Sequence, residues 1–78
     1  MNESEIRALA ADVLAGIAPE ADLSRVAEDE DLRAALDLDS MDFLNFVIAL
    51  NQRSGMPIPE ADYPKLFTMR GLVGYLSG

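Results

Sequence analysis

Apolar residues recur at Ile6, Leu9, Ala10, Val13, Leu14 and Ile17 with the three- and four-residue spacing of one helix face. Asn2 followed by Glu5 has the form of a capping box, and Gly16 with Pro19 marks a stop. The first helix is therefore expected from about Glu3 to Gly16. Residues 18 to 38 carry no comparable period, so a long loop is expected, pinned by Leu23, Val26, Leu32 and Leu36 and broken by one short helical turn near Leu32. A second apolar period begins beyond it. Asp39 suits an N-cap, the helix runs from Ser40 to near Ser54, and Gly55 takes the left-handed position that closes helices. Its residues divide into two faces: Phe43, Phe46, Val47 and Leu50 inward, and Met41, Leu44, Asn45, Ile48 and Gln52 in a stripe beside Ser40 that is apolar for a surface.

Met56-Pro57-Ile58-Pro59 cannot continue a helix, because each proline lacks an N–H and restricts the residue before it. Glu60 to Tyr63 has room for one helical turn, stopped or bent at Pro64. Thr68 is a suitable N-cap for a last helix through Leu76, with Met69, Leu72, Val73 and Leu76 inward. Gly71 and Gly74 weaken that helix by up to ~1 kcal/mol each. The expectation is an all-α fold: a small four-helix bundle of three main helices and one short one, with a long first loop, in a single domain over residues 1–78.

Charge and composition narrow the chemistry. Fourteen acidic against six basic residues give a net charge of −8, which repels nucleic-acid phosphates and favours basic protein partners. Glu28-Asp29-Glu30-Asp31 is expected to repel itself and stay solvated. With neither Cys nor His, the chain lacks disulfides, thiolate chemistry and the commonest general base and metal ligand. Only dispersed carboxylates remain for catalysis, so no enzyme is expected. No basic-then-apolar leader and no apolar run near ~20 residues is present, and the chain reads as a soluble, cytoplasmic monomer without a membrane span. Phe43, Phe46, Tyr63, Phe67 and Tyr75 are core or partial-core residues by default. Asp37, Asp39 and Met41 alternate as at the start of a calcium loop. The sixth and twelfth positions are Asp42 and Ile48 instead of glycine and glutamate, which excludes an EF-hand. No dedicated metal site is expected, only weak, salt-screened divalent binding by the acidic loop with Asp37, Asp39 and Asp42.

Ser40 is the candidate of most interest. An exposed hydroxyl in the first turn of a helix sits where backbone N–H groups and the helix dipole favour an added phosphate. Leu38-Asp39-Ser40-Met41-Asp42, fourteen residues from Ser40 to Gly55, and then Ile58-Pro59 resemble the acyl carrier protein family over residues 36 to 76. The resemblance implies that Ser40 accepts a covalent 4′-phosphopantetheine arm from coenzyme A, through a magnesium-dependent phosphopantetheinyl transferase, with Asp39 in support. It implies a non-catalytic acyl carrier that holds acyl intermediates as thioesters for fatty-acid, lipid or polyketide-type biosynthesis. Acyl-loading and acyl-transferring enzymes are then its partners, with Met41, Asp42, Leu44, Asn45 and Ile48 as the docking face. Phe46, Val47, Leu50, Ile58, Tyr63 and Leu66 align with the family's acyl pocket. An aminoacyl or peptidyl carrier, and an unmodified protein-interaction scaffold, are the alternatives. Three departures mark a specialised, stand-alone member: Asn45, Asn51, Gln52 and Arg53 replace the usual acidic residues of this helix, Asp37 stands where a glycine is common, and Pro64 interrupts the third helix.

Overall fold

A computed structural model describes residues 1–77 of the chain, and the described residues form helices joined by loops, without strands. The α-helices are α1 (Glu3–Ile17), α2 (Leu32–Ala35), α3 (Ser40–Ser54) and α4 (Met69–Ser77), and two 3₁₀ turns cover Leu23–Arg25 and Glu60–Leu66. The all-α expectation holds. Asn2 and Glu5 close the expected capping box, each side chain accepting from the other's backbone N–H at 2.8 and 3.0 Å. Helix α1 runs one residue past Gly16, because the Ala18 N–H still reaches the Leu14 carbonyl at 2.7 Å.

The interior is built from the predicted faces. Ile6, Leu9, Ala10, Val13 and Leu14 of α1 meet Phe43, Phe46, Val47 and Leu50 of α3 and Met69, Leu72 and Leu76 of α4. Val73, expected inward, is only half-buried. In the long loop Leu32 is fully buried while Leu23, Val26 and Leu36 are half-buried, and Leu38, not among the expected anchors, joins the core. The Asp12–Arg53 ion pair at 2.6 Å, and a concavity shared by Gly16 and Ile17 with Asn45 and Ala49, show that α1 and α3 run antiparallel. The long loop therefore leaves α1 at the pole where α3 begins.

The acidic run stays in contact with solvent as expected, but its charges are also paired: Glu28 with Arg7, Asp29 with Arg70 at 2.8 Å and Asp31 with Arg33 at 2.7 Å, while Glu30 accepts from the Ala27 N–H. The repulsion is answered by arginines from three different segments. The turn at Glu60 does not stop at Pro64 but continues to Leu66 with the proline inside it. A 3₁₀ turn is short enough that Pro64 need only accept, from the Phe67 N–H at 3.3 Å.

Candidate functional site

The approach to Ser40 is set by the end of α2. Asp37 has φ 55°, the left-handed conformation at the position after the helix cap. Its N–H donates to the Ala34 carbonyl (3.4 Å) and that of Leu38 to the Arg33 carbonyl (2.8 Å), the paired bonds of a Schellman closure. This reversal sends Leu38 into the core and leaves Asp39 extended, with φ −81° and ψ 178°. The Asp39 carboxylate accepts from the Asp42 N–H at 2.7 Å, and the Asp42 carboxylate accepts from the Asp39 N–H at 3.4 Å. Sequence reasoning anticipated the N-cap but not that Asp42 completes a capping box.

Ser40 is the first residue of α3 and is exposed. At the first two helical positions, the N–H groups of Ser40 and Met41 have no intrahelical carbonyl to reach. Both nearby carboxylates take part in the capping box, and Ser40 stands beside free backbone donors at the positive end of the helix dipole. That arrangement fits a phosphodiester on the Ser40 oxygen.

Beside Ser40 lie three of the chain's exposed large apolar side chains, Met41 (62 % exposed), Leu44 (37 %) and Ile48 (41 %), in one stripe along α3. Asn45 and Gln52 are exposed on the same side and Asp42 is half-buried. On the opposite face Phe46, Val47 and Leu50 are fully buried and meet Leu66 and Ile58, with half-buried Tyr63 packed against them. The candidate pocket residues thus belong to the one apolar core, Tyr63 packing against its edge. A surface concavity of about 350 Å³ lies elsewhere, lined by Glu20, Asp22, Arg25, Val26, Leu36 and Asp37 among others.

The sequence reading missed the contacts that close this pole. Arg33 lies with its guanidinium 3.6 Å from the centroid of Phe67 and 5.9 Å from that of Phe43. Its Nε and Nη2 donate to the Asp31 carboxylate at 3.1 and 2.7 Å, which holds Asp31 down to about 2 and raises Arg33. No sequence period signals such a stack, since Arg33 and Phe67 are 34 positions apart. At the other end, the Tyr75 hydroxyl donates to Asp62 at 2.8 Å, lowering Asp62 and raising Tyr75. Among the described residues no three carboxylates converge to hold a metal ion, and no helix is long and apolar enough to cross a membrane.

No curated protein matches the chain. A family model described as a phosphopantetheine attachment site matches residues 4–76, 73 of the 78 residues. The match takes in every element from α1 to α4, together with the exposed serine at the start of α3. The chain belongs to the phosphopantetheine-attachment family, whose members carry a covalent 4′-phosphopantetheine.

Proposed function

We propose that the chain is an acyl carrier protein, with Ser40 the attachment point and the cargo an acyl group used in fatty-acid, lipid or polyketide-type biosynthesis. One observation carries this reading: the exposed Ser40 hydroxyl stands at the start of α3, beside an uncharged apolar stripe that a partner enzyme must cover to reach it. Asp39 and Asp42, by capping each other's backbone, fix the first turn of α3 and leave the Ser40 and Met41 N–H groups to receive the phosphodiester oxygens. The arm, when attached, supplies a thiol on a flexible tether, which holds an acyl group as a thioester and raises its effective concentration at each partner's active site. Met41, Leu44, Asn45 and Ile48 form the docking face, with Asp42 its charged point, for the transferase and for acyl-loading and acyl-transferring enzymes. The apolar core around Phe46, Val47, Leu50, Ile58, Tyr63 and Leu66 favours an acyl over an aminoacyl cargo, because it offers no carboxylate to balance a charged amine.

Intact-mass analysis of protein co-expressed with a broad-specificity phosphopantetheinyl transferase tests the reading. The wild type gains the mass of one arm. Ser40→Ala gains none and keeps its melting temperature, because an exposed first-turn serine packs against little. A gain that survives Ser40→Ala, or none in the wild type, sinks the assignment.

A further inference from the structure

The pole that bears Ser40 is closed by a layered stack. Phe43, three residues after Ser40, is buried and meets Phe67 edge to face, with ring centroids 5.3 Å apart, and Phe46 beneath it at 6.2 Å. Outside both rings lies Arg33, its side chain 41 % exposed. Solvent, guanidinium, two rings and apolar interior therefore follow one another one helical turn from the attachment serine.

The frame around the stack is fixed. The Leu32 N–H donates to the Phe67 carbonyl at 2.8 Å, and the Arg70 N–H to the Glu28 carbonyl at 3.1 Å, tying the long loop to the start of α4. The guanidinium is the movable piece. It is held by a half-exposed ion pair and by the face of one ring, and both bonds give way by side-chain rotation alone.

Resting on the reading of Ser40 as the attachment point, we propose that Arg33 is a lid over the apolar interior and a residue that determines cargo specificity. An acyl chain tethered at Ser40 reaches the face of Phe67, the outermost layer of that interior, only when the guanidinium leaves it. A short or polar group gains too little from burial to displace it, whereas a longer chain gains with every methylene. The stack thus sorts cargo by length: short groups stay outside, where partner enzymes meet them, and long chains are sheltered.

The test uses the whole protein loaded by the transferase from acetyl- or octanoyl-coenzyme A, with loading confirmed by intact mass. Hydroxylamine cleavage of the thioester reports exposure, and the melting temperature reports burial. With the lid removed, Arg33→Ala slows cleavage of the octanoyl form about threefold, the scale of one exposed cation–π contact, and leaves the acetyl form unchanged. It also widens the gap in melting temperature between octanoyl and acetyl forms. Phe67→Leu, which keeps apolar bulk but removes the ring under the guanidinium, shifts both readouts the same way and decides the matter should Arg33→Ala fold poorly. Equal octanoyl cleavage in the wild type and both variants, or acetyl and octanoyl rates moving together, overturns the lid alone. A wild type that gains no mass overturns the carrier reading and the lid with it.

Discussion

Asp37 carries a backbone conformation that L-residues avoid. Among the described residues it is the one non-glycine with positive φ, at 55°. A left-handed conformation costs an L-residue about 1–2 kcal/mol, with Asp toward the low end because its short polar side chain tolerates it. A glycine is common at this position in the family that the sequence resembles, and the Schellman closure of α2 supplies the reason: the chain must turn left-handed here to aim Asp39 and Ser40 at the start of α3. Asp37→Gly is therefore expected to stabilise the protein by about 0.5–1 kcal/mol, after allowing for the freedom glycine gains in the unfolded chain. In a domain of this size that is roughly 4 °C in melting temperature. A melting temperature that falls would mean that the Asp37 carboxylate makes up for its backbone.

At the scale of elements, α4 separates propensity from packing. From sequence, Gly71 and Gly74 look alike, two residues that weaken a helix. In the fold a Cβ on Gly74 meets nothing within 4 Å, while one on Gly71 overlaps the carbonyl oxygen of Lys65, where the second 3₁₀ turn crosses α4. Gly74→Ala is expected to gain about 1 kcal/mol and Gly71→Ala to lose about 1–2 kcal/mol, read as opposite shifts in thermal melting. Two shifts of the same sign would show that the crossing yields easily. This contrast also locates what was legible in the sequence. The faces of α1 and α3, the cap at Asp39 and the left-handed Gly55 all arise from neighbours within four residues, and each lies where the pattern put it. The pairing of Glu28 with Arg7 and of Asp29 with Arg70, and the Arg33 stack on Phe67, depend on partners 21 or more positions away, and the Gly71 contact on how the preceding turn folds back, none of which a local period encodes. For α3, the consequence lies in docking: after Asp42 the helix has no acidic residue, so its recognition is expected to rest on apolar contact. Truncating a well-buried interface side chain costs on the order of 2 kcal/mol, and a rim charge far less. Transfer kinetics with the transferase across a salt series should rank Ile48→Ala and Leu44→Ala as worse than Asp42→Asn. Steep salt dependence, with Asp42→Asn the worst variant, would show that charge governs docking.

For the whole molecule, titration is set by the carboxylates that hold its segments together. Asp31 is held at about 2 by hydrogen bonds from Arg33; Glu28 is lowered by Arg7, Asp22 by the Ser24 hydroxyl, and Asp62 by the Tyr75 hydroxyl and then Lys65. A group whose folded value lies below its unfolded value, near 4 for a carboxylate, adds stability that is present above that unfolded value. The contribution is lost as pH falls through the folded one. Tyr75 has the opposite sign: raised by its bond to Asp62, it contributes below about 10 and loses that contribution as pH rises further. Between these limits no histidine titrates. The melting temperature is therefore expected to be level from about pH 6 to 9 and to fall from about pH 4 toward pH 2. Carboxylates that titrate alike in both states change the net charge without adding to this slope. Asp31→Asn separates the ion pair from the cap it shares, since an asparagine oxygen still accepts from the Arg33 N–H while the charge is gone. At pH 7 this variant should melt lower than the wild type, and its acid limb should be shallower, so that the two curves converge near pH 2. Parallel curves across the whole range would show that Asp31 acts through the cap alone, and a wild type that keeps its melting temperature at pH 2 would show that these pairs do not hold the long loop in place.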